Sequence, residues 1–313
     1  MAASNAGVVG MNIRTIRCVG GKTPFDQVAL RYRCRVFDVD YVRFEYRDGG
    51  ELFLTRYGWH LLPHLLPTYW FTERRYLTHG QRLAGGTGSV YRVPTVLPGG
   101  RRKDLVVKFS RFAEDVPLWI NADVAPMVPR AVRDAARFNS PFEEFGLVMA
   151  LRRNPNPPGM GPFRTKRPLA IYVPPQRHPT WQLGRHEDMF ARQQIAIDLD
   201  QARHRDRQGF AIRLDARKQY VEVFEWVRGD NAEDLNAAGA LTTREMEALT
   251  HRAADELLAR GFMVLDHKPR HLILRRRRRD GQVVRRGGEL IFALVDFELL
   301  VRRSDAAVHK AGA

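Results

Sequence analysis

Cysteine, lysine and long apolar runs are scarce in this chain, and each scarcity removes a class of protein. Only Cys18 and Cys34 occur among the 313 residues. Two thiols near one end cannot staple a chain of this size, which excludes a disulfide framework and makes a reducing cytosol the expected compartment. No stretch approaches the ~18 apolar residues of a spanning helix, and the opening MAASNAGVVGMN has neither the basic flank nor the apolar run of a secretory signal. The expectation is a cytoplasmic protein, attached at most peripherally to the inner face of a membrane. Lysine supplies only 7 of the 51 basic residues, so a Lys at a chemically meaningful position carries more weight than an Arg would. Acidic residues number 35, leaving a formal charge of +16 and a pI near 10.5. This balance favours polyanionic partners such as nucleic acid, anionic lipid headgroups or a phosphorylated glycan, without choosing among them.

What is present is a globular composition, 44% hydrophobic, long enough for about two domains. Residues 10–58 read as short β segments: MNIRTIRCV, the run 28–36, then YVRFEYRD and ELFLTRYG around a Gly49-Gly50 turn. The aromatic stretch 59–71 is too short and too broken by proline to span a bilayer. It packs the N-terminal piece onto its neighbour or touches a membrane interface. Next, YLTHGQRLAGGTGSVYRV reads as two strands around Gly85, Gly86, Thr87 and Gly88, a turn at which backbone N–H groups can approach phosphate oxygens with no Cβ in the way. In the following strand, DLVVKFSR, Lys108 punctuates an apolar run.

Further on, SPFEEFGLVMALRR opens on helix-start residues Ser140 and Pro141. Leu147, Val148 and Leu151 fall at i+3, i+4 and i+7 from Glu144, which sets Glu144 above the apolar face, with Glu143 the competing choice. Residues 153–180 are rich in Pro and Gly and read as an insertion or extended connector. A charged surface helix follows in EDMFARQQIAIDLDQARHRDR. The segment GFAIRLDARKQYVEVFEWVRGD predicts a strand, a turn at 215–218, a second strand, and an exit through 225–229. The clearest helix is TTREMEALTHRAADELLARG, with Thr242 and Glu245 spaced as a capping box, an apolar stripe through Met246, Leu249, Ala253 and Leu257, and Gly261 as its stop. It leads into FMVLDHKPRH, which places Asp266, Lys268 and His271 after the helix, while Asp296 ends a later apolar run. Two carboxylates held by short loops at strand ends can divide phosphoryl transfer, one facing the acceptor hydroxyl and the other the metal.

These residues resemble the catalytic core of the protein-kinase-like superfamily. Asp266, Lys268, Pro269 and His271 match its catalytic loop, Asp296-Phe297-Glu298 its Asp-Phe-Gly, and Gly85, Gly86 and Gly88 its glycine-rich loop, with Leu83 at the first glycine position. His271 stands where most kinases have Asn, as in the bacterial lipopolysaccharide core heptose kinases, which are similar also in a widened loop before the second Asp. The resemblance implies an α+β, protein-kinase-like bilobal fold with a β-rich N-terminal extension (1–70), an N-lobe (71–227, insertion around 152–208), a reduced C-lobe (228–303) and a tail (304–313). It implies catalytic Asp266 and Lys268, phosphates held by the glycine turn and by Lys108 with Glu144 as its partner, adenine met by the backbone of Glu225 and Val227, and a metal, Mg2+ or Mn2+, at Asp296 and His271. An imidazole in that set argues for one metal, for manganese, or for a His that hydrogen-bonds phosphate. These parts are expected to meet in one nucleotide-sized cleft.

The chain runs only 17 residues past Asp296, which on this resemblance leaves no activation segment to hold a peptide and points to ATP with a sugar, glycan or other polyanionic acceptor. Between the two Asp residues, the arginines of 275–279 lead into an Asp280-Gly281 turn. They read as solvated hairpin tips or as a polyanion contact. Two further classes stay open: a pseudokinase that binds nucleotide or a partner, and a basic nucleic-acid-binding protein.

Overall fold

The computed structural model describes residues 23–83, 89–116, 128, 136–154, 157 and 160–303. The chain is α+β and divides into two compact units, each discontinuous in sequence. Of the described residues, 23–83, 89–110 and 168–224 form the first, and 111–116, 128, 136–154, 157, 160–167 and 225–303 the second.

The first unit is built on one eight-stranded sheet. Its strands are β1 (Arg33–Val36), β2 (Val39–Glu45), β3 (Glu51–Leu54), β4 (Gln81–Arg82), β5 (Val90–Val96), β6 (Arg102–Phe109), β7 (Pro168–Val173) and β8 (Val221–Glu225), in the order β1-β2-β3-β7-β8-β6-β5-β4. The segment 33–54, read from sequence as part of an extension, thus supplies three strands to the sheet that carries Lys108. Along β5 exposure alternates, with Tyr91, Val93 and Thr95 turned inward, as period-two side chains require. The strand β7 is buried along its whole length. It lies within the Pro- and Gly-rich stretch expected to be an irregular connector. That expectation is corrected here: PLAIYV is a continuous apolar run, and its backbone is paired on both sides by β3 and β8.

The aromatic stretch 59–71 packs onto this sheet. Trp70 is fully buried, its indole N–H donates to the Leu65 carbonyl at 3.1 Å, and Trp59, Leu65 and Tyr172 share its cluster. Truncating one such aromatic to Ala costs about 3–5 kcal/mol. Gly58 permits the close approach, since a Cβ there would lie 2.0 Å from the Leu169 carbonyl oxygen. Cys34 is a buried free thiol whose pKa burial pushes well up.

The expected strand over 210–214 is absent. The turn 215–218 does form, with the Lys218 amide on the Asp215 carbonyl at 3.1 Å. The amides of Ile212 and Leu214, however, donate to the side-chain carbonyls of Gln201 and Gln194 at 3.0 and 2.8 Å. Both glutamines lie on the helix Glu187–Ala202. Side chains do for this segment what a neighbouring strand would otherwise do. That helix is the charged one expected from sequence. It buries Gln193, Ile197 and Gln201 and exposes Ile195 and Leu199.

The second unit is organised by helices α1 (Pro141–Arg153), α3 (Ala232–Ala237) and α4 (Thr243–Ala259), with α2 kept for Glu187–Ala202. Its strands are β9 (Asp230–Asn231), β10 (Phe262–Val264), β11 (Leu272–Leu274), β12 (Arg285–Arg286), β13 (Glu289–Leu290), β14 (Phe292–Leu294) and β15 (Leu300–Arg302). Helix α4 starts at the capping box expected from sequence: the Thr242 hydroxyl accepts from the Glu245 amide, and the Glu245 carboxylate accepts from the Thr242 amide. Gly261, at φ +79°, ends it. Leu249, Ala253 and Leu257 bury one stripe in a core that also takes Leu147, Val148 and Leu151 of α1. Among the described residues no helix is long and apolar enough to cross a membrane.

Candidate functional site

Two β pairs in the second unit bring distant acids to neighbouring loops. The strand β10 pairs antiparallel with β15, Val264 opposite Leu300, and the Leu265 amide extends the pairing to the Leu299 carbonyl at 3.1 Å. Similarly β11 pairs with β14, Leu272 opposite Leu294, and the Val295 amide donates to the His271 carbonyl at 3.1 Å. The loop joining β10 to β11 carries Asp266, Lys268 and His271, and the loop joining β14 to β15 carries Asp296. Each loop is therefore hydrogen-bonded to the other's flank.

Within the first loop the Lys268 ammonium stands 2.6 Å from Asp266 Oδ1. Asp266 and Lys268 are each about 29% exposed, so the pair is reachable by a solute. His267 points the other way, 3% exposed, its Nε2–H donating to the Thr250 carbonyl of α4 at 3.0 Å. Burial drives its pKa down to about 4, against a smaller pull upward from that carbonyl. The loop is thus anchored beneath Asp266 by a neutral imidazole.

His271 Nε2 lies 3.5 Å from Asp296 Oδ2. Burial lowers the pKa of His271, while Asp296 and then Asp266 pull it upward. The Glu298 amide points at Asp296 Oδ1 from 3.5 Å.

Helix α1 sets the next layer. Ser140 caps it by accepting from the Glu143 amide. The two competing acids separate clearly: Glu143 takes both terminal nitrogens of Arg137 at 2.7 Å, whereas Glu144 is 1% exposed with Oε1 3.4 Å from the Lys166 ammonium. That ammonium, 3% exposed, also sits 5.7 Å from the centre of the Phe297 ring. Lys166 therefore connects the acid of α1 to the residue beside Asp296. The backbone beside it supports the placement: Thr165 makes an isolated bridge to Leu294, and the Leu294 amide donates to the Arg164 carbonyl at 3.0 Å.

In the first unit, Lys108 is 3% exposed near the end of β6, opposite Val90. Its ammonium stands 3.8 Å from Oε2 of Glu222, which is fully buried on β8. The arms β4 and β5 form the expected hairpin, Gln81 opposite Arg92, closed by the Leu83 amide on the Val90 carbonyl at 2.9 Å. Gly85, Gly86, Thr87 and Gly88 lie outside the described residues. In the second unit the Glu225 amide donates to the Arg167 carbonyl at 2.9 Å, ending the ladder just before Val227. At Gly229, φ is +143° and a Cβ would fall 2.2 Å from the Leu274 carbonyl oxygen, so only glycine fits there.

For a divalent ion, the candidate donors are the Asp296 carboxylate and the His271 imidazole. Among the described residues no three His, Cys, Asp or Glu side chains form a ready cage. One or two protein donors suffice for magnesium that arrives on phosphates and keeps its waters, and Asp296 fits that role. A ligating imidazole normally donates its other N–H to an acceptor. Nδ1 of His271 is buried with no such partner among the described residues, so the ring fits better as a group that steadies Asp296 than as a ligand.

Sequence reasoning missed Lys166, Glu222 and His267. The scarcity of lysine marks Lys166, and an acid inside the apolar run VEVF marks Glu222.

No protein-family model and no curated protein matches the chain. Among solved structures, WbdD co-crystallised with the kinase inhibitor LY294002 is similar at 14% identity and a TM-score of 0.30, and a second WbdD structure at 15% and 0.31. Each likeness covers 72% of this chain and 33% of WbdD, so the chain spans about a third of that protein's length. Rad53 1-466 in complex with AMP-PNP is similar at 10% identity and a TM-score of 0.28, covering 83% of this chain and 60% of that one. Likenesses this weak carry no argument, and the chain's own geometry has to bear the functional reading.

Proposed function

We propose that the protein is an ATP-dependent phosphotransferase of protein-kinase-like fold that acts on a hydroxyl of a sugar, glycan or other non-peptide acceptor. The observation that supports it best is the pair of acid-bearing loops, Asp266 with Lys268 and Asp296 with His271, each hydrogen-bonded to the other's flank. In this reading Asp266 orients the acceptor hydroxyl and takes its proton as the acceptor oxygen bonds to the γ-phosphorus and ADP departs. Lys268, already on Asp266, offsets the charge of the transferring group. Asp296 holds the metal, steadied by His271. Lys108 meets the α and β phosphates. Glu144 and Lys166 hold Phe297, and through it the loop of Asp296, in place. By the resemblance of the sequence, Gly85, Gly86, Thr87 and Gly88 would meet the phosphates, and backbone groups of Glu225 to Val227 the adenine edge. Bound magnesium or manganese would supply charge neutralisation on the phosphates. The setting in this reading is cytoplasmic, with peripheral attachment to the inner membrane face.

The test is phosphate transfer from labelled ATP to a cell-envelope glycan fraction, run beside ATP binding. Asp266→Ala should lose transfer by about 10²-fold or more and keep nucleotide binding. Transfer at the wild-type rate in Asp266→Ala would overturn the reading. Nucleotide binding by a wild-type protein with no transfer to any acceptor would assign the chain to the pseudokinases instead.

A further inference from the structure

We infer that the outer face of the 275–286 hairpin is a docking surface for a bilayer bearing anionic phosphate headgroups. It rests on the peripheral placement in the reading above and not on the chemistry. Binding and catalysis can therefore fail separately.

The hairpin register sorts its arginines. Arg276 bridges Val283, the Val284 amide donates to the Arg275 carbonyl, and β12 continues with Arg285 opposite Leu290. Directly opposed residues share a face, so Arg276, Val283, Arg285 and Leu290 lie on one side and Arg275, Val284 and Arg286 on the other. The first side is committed to the fold. Val283 and Leu290 belong to the core, Arg276 reaches Asp230 at 2.9 Å, and Arg285 pairs with Glu245. Arg277 folds back onto Asp280 at 3.0 Å. Four arginines remain: Arg275, Arg278, Arg279 and Arg286 are all exposed, and among the described residues none has an acidic partner.

The shape of the mounting selects the polyanion. Residues 275–290 contain no Phe, Tyr or Trp, so there is no platform on which the bases of a single strand could stack. A ribbon that reads a duplex must enter a groove ~8.5 Å deep. This ribbon has one face packed against its own unit through Val283 and Leu290, which leaves a single face open. Guanidinium forks on one open face match a plane of phosphates, each taken in bidentate fashion. At ~3.3 Å per residue, Arg275 lies roughly 13 Å along the extended chain from His271, and Arg278 and Arg279 follow it in the hairpin turn. That span exceeds a single transferred phosphoryl group and suits an extended surface.

The experiment measures partitioning onto phosphatidylglycerol–phosphatidylcholine vesicles in ~0.1 M salt, with duplex DNA at equal phosphate concentration as a second arm. One variant replaces Arg275, Arg278, Arg279 and Arg286 by Gln. A control replaces the exposed Arg47, Arg74, Arg101 and Arg217 by Gln and removes the same charge. A basic residue near an anionic surface contributes about fivefold to partitioning, so the hairpin variant should lose several hundred-fold and the control far less. Matching melting transitions establish that each variant is folded. Equal losses would reduce the effect to net charge and overturn the inference. Tighter, hairpin-dependent binding to the duplex would also overturn it, in favour of a nucleic-acid surface.

Discussion

Replacing His267 by Gln should flatten the acid limb of the protein's stability curve. The imidazole is 3% exposed, donates from Nε2 to the Thr250 carbonyl, and has an Nδ1 with no hydrogen-bond partner among the described residues. A proton on Nδ1 would be buried without an acceptor, and the folded-state pKa falls to about 4 from an ordinary 6.5, chiefly through burial. Asp266 offsets this, whereas His271 and His251 add to it. Because the folded pKa lies below the unfolded one, the unfolded chain binds the extra proton as pH drops. The contribution is complete above about pH 6.5 and is lost as pH falls towards 4. A tenfold difference in proton affinity between the folded and unfolded chain is worth ~1.4 kcal/mol, so the full loss is ~3 kcal/mol, of which about 2 is gone by pH 5. Urea unfolding of wild type and His267→Gln at pH 7.5 and pH 5 gives the comparison directly. The wild type should lose about 2 kcal/mol more than the variant over that interval. Equal losses would refute the assignment of a neutral, anchored His267 beneath Asp266.

Two further substitutions probe the same region. Lys166→Met removes the ammonium that stands 3.4 Å from the buried Glu144 carboxylate and should cost ~3 kcal/mol in urea unfolding, much of it recovered in the double variant with Glu144→Gln. A loss below ~1 kcal/mol would show that the pair does not hold this layer together. Gly229→Ala forces a Cβ to 2.2 Å from the Leu274 carbonyl at a φ that L-residues avoid, and should cost more than ~1 kcal/mol, whereas Gly239→Ala, with open space around it, should cost less.

How much of this is legible in the sequence depends on the range of the interaction. The capping box of α4 and the Ser140-Pro141 start of α1 are set within one turn of chain, and the structure has both. The preference for Glu144 over Glu143 follows from helical period alone, and Glu144 is the buried one. Pairing between distant strands has no such local record. Nothing in ELFL names β7 as its partner, and PLAIYV cannot announce itself as a central strand from inside a run of prolines. Residues 210–214 have the alternation of a strand but bond to two glutamine side chains of α2. Lys166 is hidden for the same reason: its meaning comes from Glu144 and Phe297, 22 and 131 residues away.

The central claim, a chain that takes up nucleotide through Asp296 and a divalent ion, is tested most directly by thermal unfolding with ATP and either magnesium or manganese, on wild type and Asp296→Asn. Ligand at 100 times its Kd stabilises by about 2.7 kcal/mol, a shift of several degrees for a chain of this size. Wild type should show that shift only with nucleotide and metal together, and Asp296→Asn should lose it. No shift in wild type under either metal, or an equal shift in both proteins, would contradict the account.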